Sequence, residues 1–199
     1  MTQWGGTFAG MENTTLMLNL SESEMLALCK RVMNLEPARR DCVVERDDGI
    51  DLDAWILTRA RAWYARLLQE GPLEWVPVED VKTQVTATAD SHGVVKAVYP
   101  DGCMRPVEWQ LEGWHRSVTH FARPDDETDL LQRNPWTRGG VCRPVAVDHG
   151  SWLMLYSLPA GTVPVVTMAR CVTYTSGRYA FSEAAIPSLT ETLAAPITR

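Results

Sequence analysis

Several groups of side chains in this chain are of types that do chemistry, and spacing decides each case. Asp47, Asp48, Asp51 and Asp53 form an acidic run that invites a calcium reading. A calcium-binding helix–loop–helix needs ligands at alternate positions, a glycine at the sixth and a glutamate at the twelfth. Asp47-Asp48-Gly49 does not keep that pattern, and capping with a favourable helix dipole accounts for Asp51 and Asp53. His115 and His120 are five residues apart. They point to opposite faces of a strand and lie about 140° apart on a helix, so neither geometry brings them to one metal. Asp148-His149-Gly150-Ser151 holds the residue types of a hydrolytic triad in a row. Triads assemble from distant segments, and a glycine-containing turn between strands explains the run better. Cys103, in the Asp101-Gly102-Cys103 turn, is the thiol expected at the surface.

No nucleophile elbow, glycine-rich phosphate loop or HExxH helix is found along the chain. Catalytic residues, metal ligands and a cofactor site are therefore not assigned. The five cysteines are odd in number, scattered and without a CxxC pair, which favours free thiols in a reducing compartment. No apolar run is long enough to span a bilayer, and no basic segment leads into an apolar one as in a secretory signal. Synthesis in the cytoplasm and no membrane partner are expected. A net charge of −6 argues against a surface that grips nucleic acid, since such binding runs on lysine and arginine.

At 199 residues the chain has the length of one domain and should bury roughly 70% of its unfolded surface. Residues 1–19 carry a single charge, Glu12, and are rich in Gly, Thr and Asn. They read as an extended arm, either loose or adding a strand to a neighbouring subunit. Residues 20–72 read as a helical part. Ser21 and Glu24 make a capping box, with Leu20 and Met25 as its hydrophobic staple, and Pro37 is the expected stop. A second helix starts at Asp51, with Ile50 and Trp55 as staple. It carries Leu52, Trp55, Ile56, Ala60, Trp63 and Leu67 on one face and ends at Gly71-Pro72.

Residues 73–199 read as a β-rich part with short helices, and the whole as one compact domain. Val81, Val85, Ala87 and Ala89 alternate with polar residues, as do Val107, Trp109 and Leu111. Asp90–Gly93 and Pro100–Gly102 are turns, and Trp114–Phe121 is expected to pair as a hairpin with the Val107–Leu111 strand. A short helix spans Asp126–Arg133. Strands are expected at Pro144–Val147, Trp152–Tyr156 and Val163–Tyr174, and a final helix at Ser188–Ala195, with Ser188 and Glu191 as a capping box. Helices first and strands afterwards give an α+β fold, with N-terminal helices packed on a mostly antiparallel sheet or sandwich.

Among the eight tryptophans, Trp55, Trp63, Trp109 and Trp152 fall at core positions by periodicity. Trp4 and Trp136 lie in Gly- or Pro-rich irregular segments, where a large ring is hard to bury within its own subunit. Tryptophan is enriched at interface hot spots. The arm around Trp4 and Phe8 and the Trp136–Gly140 loop with Arg138 are therefore the candidate subunit contacts.

A longer pattern accompanies these residues. It runs Tyr99-Pro100-Asp101, Arg105-Pro106-Val107, Gly113-Trp114-His115-Arg116-Ser117-Val118, Leu131-Gln132, Arg138-Gly139-Gly140, Arg143-Pro144-Val145-Ala146 and Leu153-Met154-Leu155-Tyr156-Ser157. Over residues 50–175 this order resembles a family of ring proteins from the neck of crAss-like and related Bacteroidetes tailed phages and prophages. Where the family usually shows a Leu-Pro-Asp-Asp-Phe type of lead-in to the central strand, this chain has Tyr99-Pro100-Asp101-Gly102-Cys103, and the tail after Tyr174 matches poorly. The resemblance implies a head–tail connector subunit in the virion. It would form a homo-oligomeric, twelvefold ring touching the portal protein and adjacent neck or tail rings. Packaged DNA would pass its lumen without specific binding; the net charge of −6, not the resemblance, is what suggests an acidic lining. No catalytic residue is carried over. The alternatives are a small cytoplasmic enzyme whose site is assembled from scattered residues such as His115, Asp148 and Cys103, and a monomeric binding module.

Overall fold

The computed structural model describes residues 16–35 and 51–195. The expectations placed on Trp4, Phe8, Pro37, Asp47, Asp48 and Ile50 lie outside the described residues.

The chain folds as α+β, with three layers. One layer is helical: α1 (Glu22–Val32), α2 (Leu52–Glu70) and α4 (Ile186–Ala194), joined by the antiparallel pair β1 (Met17–Ser21) and β10 (Arg178–Ser182). The middle layer is the antiparallel sheet β2 (Val78–Asp80), β9 (Val166–Thr173) and β5 (Cys103–Leu111), in that order. The third is a five-stranded sheet in the order β3 (Thr86–Ala89), β4 (Val95–Val98), β8 (Trp152–Leu155), β7 (Ala146–Asp148) and β6 (Phe121–Ala122), parallel only between β6 and β7. A short helix α3 (Glu127–Arg133) lies between β6 and β7 in sequence.

The period-two geometry of β9 joins the layers. Val172 packs into the helical core with Met25, Ile56, Trp63, Leu68, Phe181 and Leu189. Its neighbours Cys171 and Ala169 face the second core, with Trp109, Leu111, Leu153 and Leu155.

Local chemistry explains the helices. Ser21 and Glu24 form the reciprocal capping box, and Met25 of the expected staple is fully buried. The stop comes earlier than Pro37. Asn34 takes a left-handed φ of 54°, with Leu35 N–H donating to Lys30 O (2.8 Å) and Asn34 N–H to Arg31 O (3.0 Å). These are the two bonds of a Schellman ending, with asparagine in the place more often held by glycine.

In α2, Asp51 accepts from the N–H groups of Asp53 and Ala54, and Asp53 pairs with Lys30 of α1 at 2.7 Å. Ile56, Ala60, Trp63, Tyr64, Leu67 and Leu68 are its buried face. The arginines off that face tie helices together. Arg59 donates to Ala195 O and Thr192 O at the end of α4, and Arg61 pairs with Glu22. Arg105 of β5 donates to Gln69 O and Gly71 O, closing orphan carbonyls at the end of α2.

Several sequence expectations are corrected. Val81–Ala89 is not one strand, because a 3-10 turn at Lys82–Gln84 interrupts it. Val107 does not share a face with Trp109 and Leu111. A register shift between Pro106 and Glu108 turns Val107 to the helical core and the other two to the second, as a bulge does. Trp114–Phe121 folds back on β5 through a single isolated bridge, Trp109–Val118, reinforced by Ser117 Oγ donating to Glu108 and Gln110 donating to Trp114 O, whereas β9 is the ladder partner of β5 along its length. Trp152 and Met154 lie on the face of β8 away from the core, which takes Leu153 and Leu155 instead. Trp114, not assigned from the sequence, is buried. Residues 17–19 of the expected arm belong to β1, paired within the chain. The last helix starts at Ile186 without a side-chain cap. Ser188 Oγ accepts the indole N–H of Trp63 instead (3.2 Å).

Candidate interaction surface

Helix α3 is inside out. A surface helix normally turns its apolar residues inward. Here the residues buried on α3 are Asp129 and Gln132, whereas Leu130 and Leu131 are 52% and 47% exposed. Glu127, Leu130 and Leu131 fall at i, i+3 and i+4 and so share the outward face.

The inward face is held by hydrogen bonds rather than by apolar area. Asp129 accepts from Asp125 N–H (3.0 Å), Arg133 Nη2 (2.7 Å) and the Tyr156 hydroxyl (3.2 Å). Burial opposes ionisation of Asp129, yet these bonds together hold its carboxyl below the usual range. Burial, with the nearby Asp129 charge, pushes the Tyr156 phenol up to about 12. Gln132 donates to Thr128 O (3.2 Å) and accepts Gly139 N–H (2.8 Å).

The loop that follows is built in the same way. Asn134 accepts Trp136 N–H at its side chain (3.0 Å) and the N–H groups of Thr137 and Arg138 at its carbonyl (3.1 Å each). Thr137 Oγ1 donates to Leu131 O (2.6 Å). Gly139 is required by close approach, since a Cβ there would lie 2.5 Å from Arg143 O.

The result is a fixed turn that holds Trp136 out, 94% exposed. Arg138 is not free beside it. It donates to Gln132 O (3.0 Å) and His92 O (2.9 Å) and lies 5.6 Å over the Tyr156 ring. Of the residues expected at a subunit contact, Trp136 is exposed on the surface. Arg138 braces the turn from inside, and Trp4 and Phe8 lie outside the described residues. The Leu130–Leu131 pair was missed, because reading Asp126–Arg133 as a helix did not ask which face it would bury.

No protein-family model, curated protein or solved structure matches this chain.

The residues weighed for chemistry fall apart in space. Asp148 Oδ1 accepts the Tyr99 hydroxyl and Gly150 N–H (2.8 Å each). Gly150 makes the β7–β8 turn with φ of 84°. His149 stacks on Trp152 at 3.8 Å and does not meet a serine nucleophile. Cys103 is half-buried rather than the surface thiol expected. Its thiol hydrogen-bonds the buried Cys171; that bond, with burial, pushes Cys103 up, while the same bond holds Cys171 down against the opposing effect of burial.

The exposed thiol among the described cysteines is Cys142, 3.2 Å from His115 Nδ1. No described side chain orients the other nitrogen of that imidazole, which a nucleophile–base pair needs. Among the described residues His120 hydrogen-bonds Thr119 alone. Among the described residues no three His, Cys, Asp or Glu side chains gather as a metal site. No described helix is long and apolar enough to cross a membrane.

A second surface feature lies on the helical layer. A groove of about 490 Å³ runs between α2 and the β9–β10 turn, lined by Tyr64, Leu68, Met104, Tyr174, Tyr179 and exposed Arg178. Tyr64 forms its aromatic centre, 5.2 Å from the Tyr179 ring and 6.3 Å from that of Tyr174. The Tyr64 hydroxyl both donates to Ala180 O and accepts Ala180 N–H (3.2 and 3.0 Å), so the ring is fixed and covers the edge of β10.

Proposed function

We propose that this chain is a structural subunit of a tailed-phage neck, assembling with copies of itself into a ring between portal and tail. The observation that carries an assembly role is α3 with Trp136. A helix that buries Asp129 and Gln132 while exposing Leu130, Leu131 and a rigidly presented tryptophan is explained when a protein partner covers its outer face. The neck assignment is supported by the family resemblance across residues 50–175, and the twelvefold count by the same resemblance. The ring lumen would pass DNA without gripping it, in keeping with the net charge of −6 and the counterion physics of nucleic-acid binding.

The test is negative-stain imaging of the protein alone and after mixing with isolated portal or with virions. Rings, or added density at the portal vertex, are expected. A chain that stays monomeric at high concentration and associates with neither would sink the reading and return attention to the Cys142–His115 pair.

A further inference from the structure

The chain carries both halves of a head-to-tail contact. On the five-stranded-sheet side, Glu127, Leu130 and Leu131 form one exposed helix face beside the fully presented Trp136. On the helical side lies the tyrosine-lined groove. Its volume of about 490 Å³ falls within the range that encloses a drug-sized ligand. An indole with one leucine beside it fits that space.

Charge matches as well. Glu127 on the knob and Arg178 in the groove are both exposed; Arg178 acts on Glu24 electrostatically without closing to a salt bridge, and the groove's other charges, Arg61 and Glu22, are already paired with each other. Two different, complementary patches on one chain define a heterologous interface, which closes into a ring when its rotation divides the circle.

We infer that the occupant of the Tyr64–Tyr174–Tyr179 groove is Trp136 of a second copy, seated with Leu131 and aligned by a Glu127–Arg178 ion pair. This rests on the ring reading for its geometry, and it names the contact by which each subunit would hold the next. Tyr174, 40% exposed, supplies the ring surface for the indole, over a floor formed by the buried Tyr64 and Tyr179. Leu68 and Met104 supply aliphatic surface, and Met104 adapts to the entering side chain because its thioether is flexible. The rigid turn around Asn134 and Thr137 means that little conformational freedom is lost when Trp136 docks.

A photo-crosslinking amino acid at position 136, in an equal mixture of nitrogen-15-labelled and unlabelled protein, reads the contact directly. Mixed-isotope crosslinks to peptides holding Tyr64–Leu68 or Tyr174–Tyr179 are expected, with or without portal. Trp136→Ala should weaken self-association about thirtyfold or more, as a hot spot does. Glu127→Arg and Arg178→Glu should each weaken it about tenfold, with the double reversal recovering most of the loss. Recovery in the double variant excludes misfolding of either single one.

Rings whose position-136 crosslinks map to another surface, or to portal peptides, overturn the inference and leave the ring reading standing. Groove crosslinks between copies that never build a ring on portal uphold the contact and overturn the ring. No intermolecular crosslink in either setting overturns both.

Discussion

Helices α2 and α3 solve the same problem in opposite ways. Helix α2 turns Ile56, Ala60, Trp63, Tyr64, Leu67 and Leu68 into a core, and its exposed arginines reach Glu22 and the end of α4. Apolar burial holds it, at roughly 1.5–3 kcal/mol for each large side chain. Helix α3 turns Asp129 and Gln132 inward and leaves its leucines in water. Hydrogen bonds hold it, and each contributes about 1 kcal/mol net. One helix is complete within its own chain and the other is not. The difference separates a helix that makes the fold from one whose apolar side is left exposed, the side to which the proposed assembly assigns a partner.

The largest effect expected from breaking this comparison is on the α2 side. Trp63 is buried, meets Phe181 edge-on at 5.1 Å and donates to Ser188. Trp63→Ala should cost about 3–5 kcal/mol, read as a lowered denaturant midpoint. A loss under about 1 kcal/mol would mean that the helical core is not what holds the chain together.

Next comes Asp129. Asp129→Ala strands the Tyr156 hydroxyl and the Asp125 N–H and should cost about 1–3 kcal/mol. Because its folded carboxyl titrates below the ordinary value of 3.8, its contribution is fully present above that value. It is lost as pH falls through the folded pKa. Stability of the wild type should therefore fall more steeply below about pH 4 than that of Asp129→Asn. Parallel acid limbs would show that the carboxylate does not hold α3.

The same contrast marks what was legible in the sequence. The capping box of α1, the stripe of α2 and the turns at Asp90–Gly93 and Pro100–Gly102 follow from local rules, and the structure forms them. The pairing of β5 with β9 rather than with Trp114–Phe121 depends on segments about sixty residues apart, which no local pattern encodes. The bulge that turns Val107 away from Trp109 leaves the alternation of residue types intact and so cannot be seen in it. At the candidate surface, Trp136 was visible because a tryptophan beside a proline in an irregular segment is unusual. The orientation of α3 was not, since Asp129 becomes a buried residue only once Arg133, Tyr156 and the Asp125 backbone surround it.

Ser157 sharpens the comparison from beneath the knob. It takes φ of 84°, is buried, and its hydroxyl has no hydrogen-bond partner among the described residues. A Cβ on Gly139 would lie 3.4 Å from its Oγ. A non-glycine residue so placed stores roughly 1–3 kcal/mol of strain. Ser157→Gly should raise stability by about 1 kcal/mol, the gain partly offset by the greater freedom of glycine in the unfolded chain. Thermal denaturation checks it. A destabilised variant would show that the serine side chain supports the Gly139 turn instead of straining it.

The smallest expected effect on stability is the most informative. Leu131→Ser with Trp136→Ala removes a half-exposed and a fully exposed apolar side chain, and surface changes of this kind stay within about 0.5 kcal/mol. The urea curve of the double variant should overlay that of the wild type, while self-association or binding to portal is lost. The backbone bonds of Asn134 and the Thr137–Leu131 bond do not involve either removed side chain, so the turn keeps its shape. If the double variant instead lost 2 kcal/mol or more as a monomer, these side chains would be packing within their own chain. Helix α3 would then be complete after all, and its contrast with α2 would be one of style and not of purpose. A loss of assembly at unchanged stability is the result that only an unfilled outer face explains.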